Sequence, residues 1–122
     1  MPSTAPGLTW PLIEDARERI AGKVNITPVL TSSTLDGLSG ARLFFKCENF
    51  QKGGAFKARG ATNAVFSLSE SVARRGVATH SSGNHAGALA RAAALRGRRI
   101  GIIISGGNLD LDHLPWSAAA SP

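Results

Sequence analysis

The sequence predicts an α/β fold with a parallel sheet, and three observations carry that prediction. Strand-like segments alternate with segments of helical periodicity along most of the 122-residue chain. The strand candidate at residues 99–105 is almost entirely apolar, which is typical of a parallel strand covered on both faces. Two junctions that follow strands carry small polar residues, SSGN at residues 81–84 and SGGN at residues 105–108. We therefore expect a ligand at the carboxyl ends of these strands.

The first half of the chain predicts one helix, two short strands and a loop. A helix with Pro11 in its first turn and Gly22 at its end would place the apolar residues of PLIEDARERIAG on one face. Strand candidates lie at residues 27–32 and 41–48, separated by the turn-like segment TLDGLSG. The segment NFQKGG then predicts a loop that ends in paired glycines.

The second half predicts helices and strands in alternation. A helix at residues 56–68 would be weakened by Gly60, and Ser69 would cap a short helix that ends near Arg75. LDLDHLPW predicts a final turn and SAAASP a disordered tail. The remaining elements are a strand at residues 76–81, an alanine-rich helix at residues 85–97 with Gly97 past its end, and the apolar strand at residues 99–105.

Composition indicates one globular domain in the cytoplasm. Hydrophobic residues make up 43% of the chain and charged residues 18%, which is typical of a folded protein. No apolar run reaches the roughly 18–20 residues of a membrane span, and the N-terminus lacks the basic start and apolar stretch of a signal peptide. Because Cys47 is the single cysteine, no internal disulfide is expected, and Cys47 would pack as a small apolar residue in its strand.

The net charge of +6, from 14 Lys and Arg against 8 Asp and Glu, raises the question of an anionic partner. The basic residues are scattered apart from two short clusters at residues 74–75 and 96–99, and no basic stripe alternates with aromatic residues. A small anion binder or nucleic-acid binder is therefore the weaker alternative. A metal site is not expected, because no cluster of Cys and His accompanies His80 and His85.

The SSGN segment, where a strand ends and a helix begins, allows two interpretations. The first N–H groups of a helix lack internal partners, so small residues there would let a phosphate or carboxylate approach the backbone. Alternatively, Ser82 or Asn84 is an ordinary helix cap, which the local pattern alone favours. A Walker A motif and a G-x-G-x-x-G motif are both absent from the sequence.

Lys57, within GAFKARGA, also allows two interpretations. One is an amine that forms a Schiff base, which requires a neutral amine supplied by burial or by a nearby positive charge. The other is a solvated lysine on a helix, which local grounds alone favour. Ser105 poses a similar choice, since its hydroxyl would either face a ligand ring or belong to a turn with Asn108 in a left-handed conformation.

Three ordered motifs together resemble a known family. FFKCENFQKGGAFKARGATNAV, THSSGNHAGALARAAALRG and IGIIISGGNLDLDHLPW are similar to segments of the serine racemase and threonine dehydratase group, pyridoxal-phosphate-dependent enzymes of the tryptophan-synthase-β-like type. The opening RIAGKVNITPVLTSSTLD resembles the N-terminus of that group. The resemblance covers residues 13–116 and implies a partial three-layer parallel-sheet α/β fold from which much of the large domain is missing.

The resemblance implies a role for each matching residue. Lys57 would bind pyridoxal 5′-phosphate covalently and act as a base at the substrate Cα, and Ser82 would be the acid or base on the opposite face in racemising members. The other cofactor-binding residues would be Phe56 against the pyridine ring, Asn84 at its 3′-oxygen, and Ser105, followed by Gly106, at its nitrogen. The loop that holds the substrate carboxylate would consist of Ser81, Ser82, Gly83, Asn84 and His85.

The reaction implied is dehydration or deamination of a small hydroxy amino acid such as serine, threonine or hydroxyaspartate, with racemisation as an open alternative. A serine hydroxyl does not enforce a protonated pyridine as a carboxylate would, so the ring is a weaker electron sink. That property suits elimination, in which a leaving group removes the charge. Full-length relatives are commonly homodimers.

The chain departs from the family pattern in two places. Gly87 stands where relatives often have a glutamine. More importantly, residues 1–97 resemble the N-terminal part of relatives and residues 98–116 their C-terminal strand and loop. We therefore expect that the region between these two parts has been lost at the joint, with residues 117–122 as a tail. That region normally supplies the glycine-rich phosphate loop and most of the large domain's sheet. We therefore expect a single shortened catalytic-type domain with weak or no activity, or a non-enzymatic remnant that binds a partner.

Overall fold

Five α-helices and four short strands build the part of the chain that the computed structural model describes, residues 7–104. The segments predicted as a final turn and a tail lie outside these residues. In chain order the elements are α1 Trp10–Ile20, β1 Val29–Leu30, α2 Ser33–Ser39, β2 Phe45–Lys46, α3 Lys57–Ser67, α4 Glu70–Ala73, β3 Val77–His80, α5 Asn84–Leu95 and β4 Ile100–Ile103.

The first helix agrees with its prediction. Thr9 is its N-cap residue, and Pro11 lies at the start of the helix, where a missing N–H costs nothing. Gly22 follows its end with a φ of 71°, a conformation that glycine adopts without strain. The helix docks on α3 through Arg19, whose Nη1 donates a hydrogen bond to Asn63 Oδ1 at 2.5 Å.

The segment predicted as a turn, TLDGLSG, is instead the helix α2, so that prediction was wrong. Ser32 Oγ accepts a hydrogen bond from the N–H of Leu35 at 3.3 Å, which caps the helix at its start. Gly40 ends it in the left-handed region with a φ of 69°. These two caps stabilise a helical conformation through Gly37, the residue that had suggested a turn.

The two strand candidates in the first half are shorter than predicted. β1 and β2 form an antiparallel pair of two residues each, with Val29 opposite Lys46 and Leu30 opposite Phe45. Cys47 lies just after β2 and not inside it, and its Sγ donates to the carbonyl of Phe45 at 3.3 Å.

The predicted parallel pair is present in the second half, which confirms the α/β class. β3 and β4 pair in parallel, with Val77 opposite Ile100 and His80 opposite Ile103. The helix α5 connects them and packs against α3. The core forms where these elements meet, from Ala61, Val65, Leu89 and Ala92 with Phe66, Val77, Ala88 and Ile100 packed around them.

The joint between α5 and β4 has the geometry of a well-formed helix end. Gly97 adopts a φ of 66°, and its N–H donates to the carbonyl of Ala94 at 2.9 Å. The N–H of Arg98 donates to the carbonyl of Ala93 at 2.8 Å, which completes a Schellman motif. The chain therefore reverses at Gly97 with its last helical carbonyls satisfied, and enters β4 three residues later.

A second set of contacts ties this joint to α4. The carboxylate of Glu70 accepts hydrogen bonds from Arg74, Arg96 and Arg98. The bond from Arg98 is the main cause of a pKa of Glu70 below its ordinary value. Ser69 is the N-cap residue of α4 as predicted, although its hydroxyl contacts Ser71 and not the helix backbone.

The expectation that β4 is covered on both faces was wrong for the described residues. Within residues 7–104, α5 is the element that packs on the parallel pair, and it buries the face that carries Val77 and Ile100. Beyond that face, Ile103 is 69% exposed and Ile104 is 81% exposed. An apolar strand is buried only when a layer covers each of its two faces, and residues 7–104 provide one such layer, α5.

Candidate active site

Lys57 is the first residue of α3 and directly follows a sharply turned loop. The loop owes its shape to Gly53 and Gly54, which adopt φ values of 69° and 67°. The Lys57 side chain is exposed, and its Nζ lies 5.0 Å from the centroid of the Phe56 ring. The described residues therefore do not bury the Lys57 side chain.

Lys57 opens onto a cavity of about 260 Å³ between α3 and α5, which we call the Lys57 cavity. On the α3 side the space exists because the residues that face α5 are small. Its lining residues are Phe56, Lys57, Gly60, Ala61, Ala64, His85 and Leu89. Lys57, Phe56 and His85 thus line one largely apolar cavity.

The start of α5 carries no side-chain cap. Gly83 is the N-cap residue, so neither Ser82 nor Asn84 acts as the ordinary cap that the local pattern had favoured. Ser81 shapes the approach instead, because its Oγ accepts a hydrogen bond from the N–H of Gly83 at 3.2 Å. The N–H groups in the first turn of α5 therefore have no side-chain acceptor, and the helix dipole favours an anion beside them.

A second cavity, of about 200 Å³, lies on the other side of the contact between α3 and α5. Its lining includes Gly83, Asn84 and Gly87 from α5 and the basic residues Lys52 and Arg91. Nη2 of Arg91 donates to the carbonyl of Lys23 at 2.8 Å, which connects this region to the end of α1. We call it the Arg91 cavity.

Only some of the predicted site residues therefore line the same cavity. Phe56, Lys57 and His85 line the Lys57 cavity, whereas Gly83 and Asn84 line the Arg91 cavity. Ser81 and Ser82 line neither of the two. Ser105 and Gly106 lie outside the described residues, but the strand that leads to them ends beside Ser81, whose N–H donates to the carbonyl of Ile103 at 2.9 Å.

Sequence reasoning missed a polar network that surrounds the loop before Lys57. Arg59 donates to both carboxylate oxygens of Glu48, from Nε at 2.8 Å and from Nη2 at 2.7 Å. Thr27 Oγ1 donates to Glu48 Oε1 at 2.5 Å. The hydrogen bond from Arg59 is the main reason that the pKa of Glu48 is lowered from 4.5 to about 2.

Gln51 forms the other half of this network. Its Oε1 accepts from the N–H of Asn25 at 2.7 Å, and its Nε2 donates to the carbonyl of Asn25 at 2.8 Å. Gln51 and Thr27 are each 4% exposed, so their polar groups depend on these partners. We call Asn25, Thr27, Glu48, Gln51 and Arg59 the clasp. The available sequence signal was only that Arg59 lies two residues after Lys57 and that a carboxylate precedes the loop.

Residues 7–104 contain neither a candidate metal site nor a helix that could span a membrane. No group of three or more His, Cys, Asp and Glu side chains in this part of the chain is arranged to hold a metal ion. No helix in the same part is long and apolar enough to cross a membrane.

Comparisons with known proteins give a consistent assignment. A family model described as "Pyridoxal-phosphate dependent enzyme" matches residues 20–107. The chain is 61% identical over 90 residues to the beta-hydroxyaspartate dehydratase of Paracoccus denitrificans, a match that covers 71% of this chain and 29% of the relative. It is 56% identical over 92 residues to a serine racemase of Oryza sativa subsp. indica, with 75% and 27% covered.

The solved structures agree with the sequence matches. The structure of maize serine racemase superposes with a TM-score of 0.74 at 54% identity, over 76% of this chain and 29% of that one. The chain therefore spans less than a third of the length of the relatives that it resembles.

Proposed function

Because the chain belongs to the family of pyridoxal-phosphate dependent enzymes, we propose that it binds pyridoxal 5′-phosphate through the amine of Lys57. The single observation that supports this most directly is the Lys57 cavity, which Lys57 lines together with Phe56 and His85. We further propose that any activity is that of a dehydratase, ammonia-lyase or racemase on a small hydroxy amino acid.

The chemical character of the Lys57 cavity fits the aromatic ring and the aldehyde of the cofactor. Lys57 supplies the nucleophilic amine, and Phe56 supplies an aromatic surface for a ring to pack against. Ala61 and Leu89 form an apolar wall. The first turn of α5 offers N–H groups that no side chain caps, which suits an anionic group of the cofactor or substrate.

Each residue then has a defined task. The cofactor, when bound, withdraws electrons from the substrate Cα and so acidifies its proton. The Lys57 amine would remove that proton, and Phe56 would hold the ring and exclude water from one face. We propose that residues 81–85 hold the substrate carboxylate through backbone N–H groups, with Ser82 as a proton donor or acceptor. Asn84, Ser105 and Gly106 remain proposed cofactor contacts.

Weak activity follows from two features of the described residues. Lys57 is exposed, so water competes for its amine and for any bound ligand. Asn84 lines the Arg91 cavity and not the Lys57 cavity, so two groups that should act on one ring open onto different spaces. Positioning supplies a large part of the rate enhancement of enzymes, and displaced groups lose it.

The alternative function is a non-enzymatic module that binds a protein partner. The observation that favours it is the set of large apolar side chains exposed in the described residues. These include Leu38, Phe44, Phe50, Ile103 and Ile104. Exposed apolar patches commonly mark protein interfaces. A location in the cytoplasm and the absence of a nucleic-acid partner remain predictions from the sequence.

Trapping with borohydride tests the proposal on cofactor binding. The aldehyde carbon of the cofactor bonds to Lys57 Nζ with loss of one water, and hydride from borohydride then makes the bond permanent. Peptide mapping should find the added mass on Lys57 in preference to Lys23, Lys46 and Lys52. The Lys57→Ala variant should lose this adduct, and the matched Lys23→Ala variant should keep it. A folded chain without an adduct on Lys57 would support the partner-binding alternative instead.

Turnover tests the proposed level of activity. Serine, threonine and 3-hydroxyaspartate are supplied with the cofactor, and ammonia, 2-oxo acid and the opposite enantiomer are measured. We expect rates below those of a full-length relative by about a hundredfold or more. Rates equal to the relative would contradict the proposal of weak activity while leaving the role of Lys57 intact.

A further inference from the structure

Clasp residues lie on both sides of Lys57 in the sequence. Gln51 anchors the loop six residues before Lys57, and Arg59 anchors α3 two residues after it. Both are connected to the segment between α1 and β1, Gln51 through the backbone of Asn25 and Arg59 through Thr27 Oγ1 at 3.3 Å. Arg59 also donates to the carbonyl of Asn25 at 3.3 Å. One short segment therefore holds the chain on both sides of the amine.

The loop needs such an anchor because its own conformation is permissive. Gly53 and Gly54 follow one another in the left-handed region, where glycine loses more conformational freedom on ordering than other residues do. Asn25 Nδ2 donates to the carbonyl of Phe50 at 2.9 Å, and Gln51 Oε1 accepts from the N–H of Lys52 at 2.9 Å. These bonds fix the backbone immediately before the two glycines.

The electrostatics of the clasp make it rigid. Arg59 meets Glu48 with two parallel hydrogen bonds, the geometry in which a guanidinium and a carboxylate bind most specifically. Thr27 Oγ1 donates to Glu48 and accepts from Arg59, so its hydroxyl is used in both directions. Both carboxylate oxygens of Glu48 and both polar side-chain atoms of Gln51 have partners, and none of the clasp residues lines the Lys57 cavity.

We propose that the clasp, centred on Glu48, Arg59 and Thr27, is a positioning device that holds Lys57 and Phe56 at the mouth of the Lys57 cavity. In this role the clasp residues act through Lys57 and do not touch the ligand. The inference rests on the proposed function, because positioning of Lys57 matters only if its amine reacts. It also makes a claim about the free protein, which can be measured without cofactor.

The chain offers a matched control for this proposal. Glu70 is a second carboxylate that accepts from arginines, and it lies at the opposite end of α5, beside the Gly97 joint. Glu48→Gln and Glu70→Gln each remove one charge and break arginine contacts. A role in stability alone predicts similar consequences for Lys57 from both variants, whereas a positioning role predicts an effect from Glu48→Gln only.

Two measurements test the proposal. Both compare the variants with the unchanged protein under conditions in which circular dichroism shows the same folded fraction. The first uses NMR without cofactor to follow the Lys57 methylene protons, which the Phe56 ring shifts because the Lys57 Nζ lies 5.0 Å from its centroid. The second uses pyridoxal 5′-phosphate and borohydride to measure the share of adduct on Lys57 against the other three lysines. In Glu48→Gln the ring shift should disappear and the preference for Lys57 should fall about tenfold. Glu70→Gln should change neither.

A pair of variants at Thr27 gives an independent route if Glu48→Gln does not fold. Thr27→Val has nearly the same shape but lacks the hydroxyl, and Thr27→Ser keeps it. We expect Thr27→Val to lose the Lys57 preference and Thr27→Ser to retain it, which a loss of packing alone would not produce.

The outcomes separate the two proposals. If folded Glu48→Gln and Thr27→Val keep both the ring shift and the Lys57 preference, the positioning role is overturned while cofactor binding stands. If the unchanged protein forms no adduct on Lys57 but the ring shift still depends on Glu48, the clasp positions the amine and the proposed function is the part that fails.

Discussion

Glu48 is the residue whose ionisation has the clearest consequence for the fold. Arg59 and Thr27 both donate to its carboxylate, and together they stabilise the charged form against the cost of partial burial. The folded-state pKa is about 2, below the ordinary value of 4.5. The contribution of Glu48 to stability is therefore complete above pH 4.5 and is lost as pH falls from there through about 2.

This pH window gives a prediction for the variant Glu48→Gln. At pH 7 we expect the free energy of unfolding to fall by about 1–3 kcal/mol, because a charged hydrogen-bond acceptor is lost beside Arg59. The difference between variant and unchanged protein should shrink below pH 4.5 and nearly vanish near pH 2. Urea unfolding at pH 7, 4 and 2 measures it, and a difference that stays constant with pH would contradict the role given to the charge.

Sequence reasoning singled out Lys57 as a candidate but did not find the clasp, and the reason is physical. Lys57 lies within a motif that resembles a known family, whereas Glu48 and Arg59 are common charged residues whose pairing depends on how the loop between them folds. The role of Gln51 is still harder to predict from the sequence. Its partners are backbone atoms of Asn25, which precedes it by 26 positions. Contacts to the backbone leave no pattern of residue types to detect.

Among the elements, long periodic segments were predicted well and short ones poorly. α1, α3 and α5 match their predictions within a few residues, because each has one apolar or small-residue face. α2 was missed because its stability depends on Ser32 and Gly40 as caps and not on periodicity. β1 and β2 have two residues each, fewer than predicted, because aromatic composition indicates a strand but does not determine how many of its residues pair.

The turn between α4 and β3 yields a prediction at Gly76. Its φ is 87°, and a Cβ built there would lie 2.9 Å from the carbonyl oxygen of Arg99. Because backbone cannot yield as a side chain can, we expect Gly76→Ala to lower the free energy of unfolding by about 2–3 kcal/mol. Parallel pairing of β3 and β4 would be lost first, which hydrogen exchange at the amides of β3 can report.

The matched control for that substitution is Gly37→Ala. Gly37 lies inside α2, and nothing is within 4 Å of a Cβ built on it. Alanine is the better helix former, so stability should rise by about 0.5–1 kcal/mol. Destabilisation by both variants to the same extent would mean that the contact with Arg99 does not decide the effect at Gly76.

At the scale of the molecule, the dominant feature of residues 7–104 is a parallel pair of strands that one layer, α5, covers. In residues 7–104, β4 pairs with β3 on one edge and has no further strand beside it. Ile103, the last residue of β4, and Ile104 after it are largely exposed. An unpaired apolar edge is a template for association with other chains.

We therefore predict that this edge drives concentration-dependent association. Ile103→Lys should shift the protein toward monomer, because a charge on an edge strand opposes pairing with another chain. Light scattering after size-exclusion chromatography measures the change. Ile26→Lys is the control, since Ile26 is 99% exposed but belongs to the segment between α1 and β1 and not to β3 or β4. Equal effects from both substitutions would assign association to general hydrophobicity and not to the edge.

The order of elements was enough to predict the α/β class but not how many layers cover the parallel strands. Alternation of strands and helices predicts parallel pairing, and β3, α5 and β4 form that unit. The apolar run in β4 predicted two covering layers because unbroken apolar strands are typically buried on both faces. Whether another part of a chain supplies the second layer is not encoded in the strand itself.

The reversal at Gly97 also bears on the order in which the chain folds. It brings β4 beside β3 with a short crossover, so paired residues such as Val77 and Ile100 are only 23 positions apart. The bond from Arg91 to the carbonyl of Lys23 spans 68 positions. Closing a shorter loop costs less entropy and proceeds sooner. We therefore expect β3 and β4 to pair before Arg91 reaches the carbonyl of Lys23.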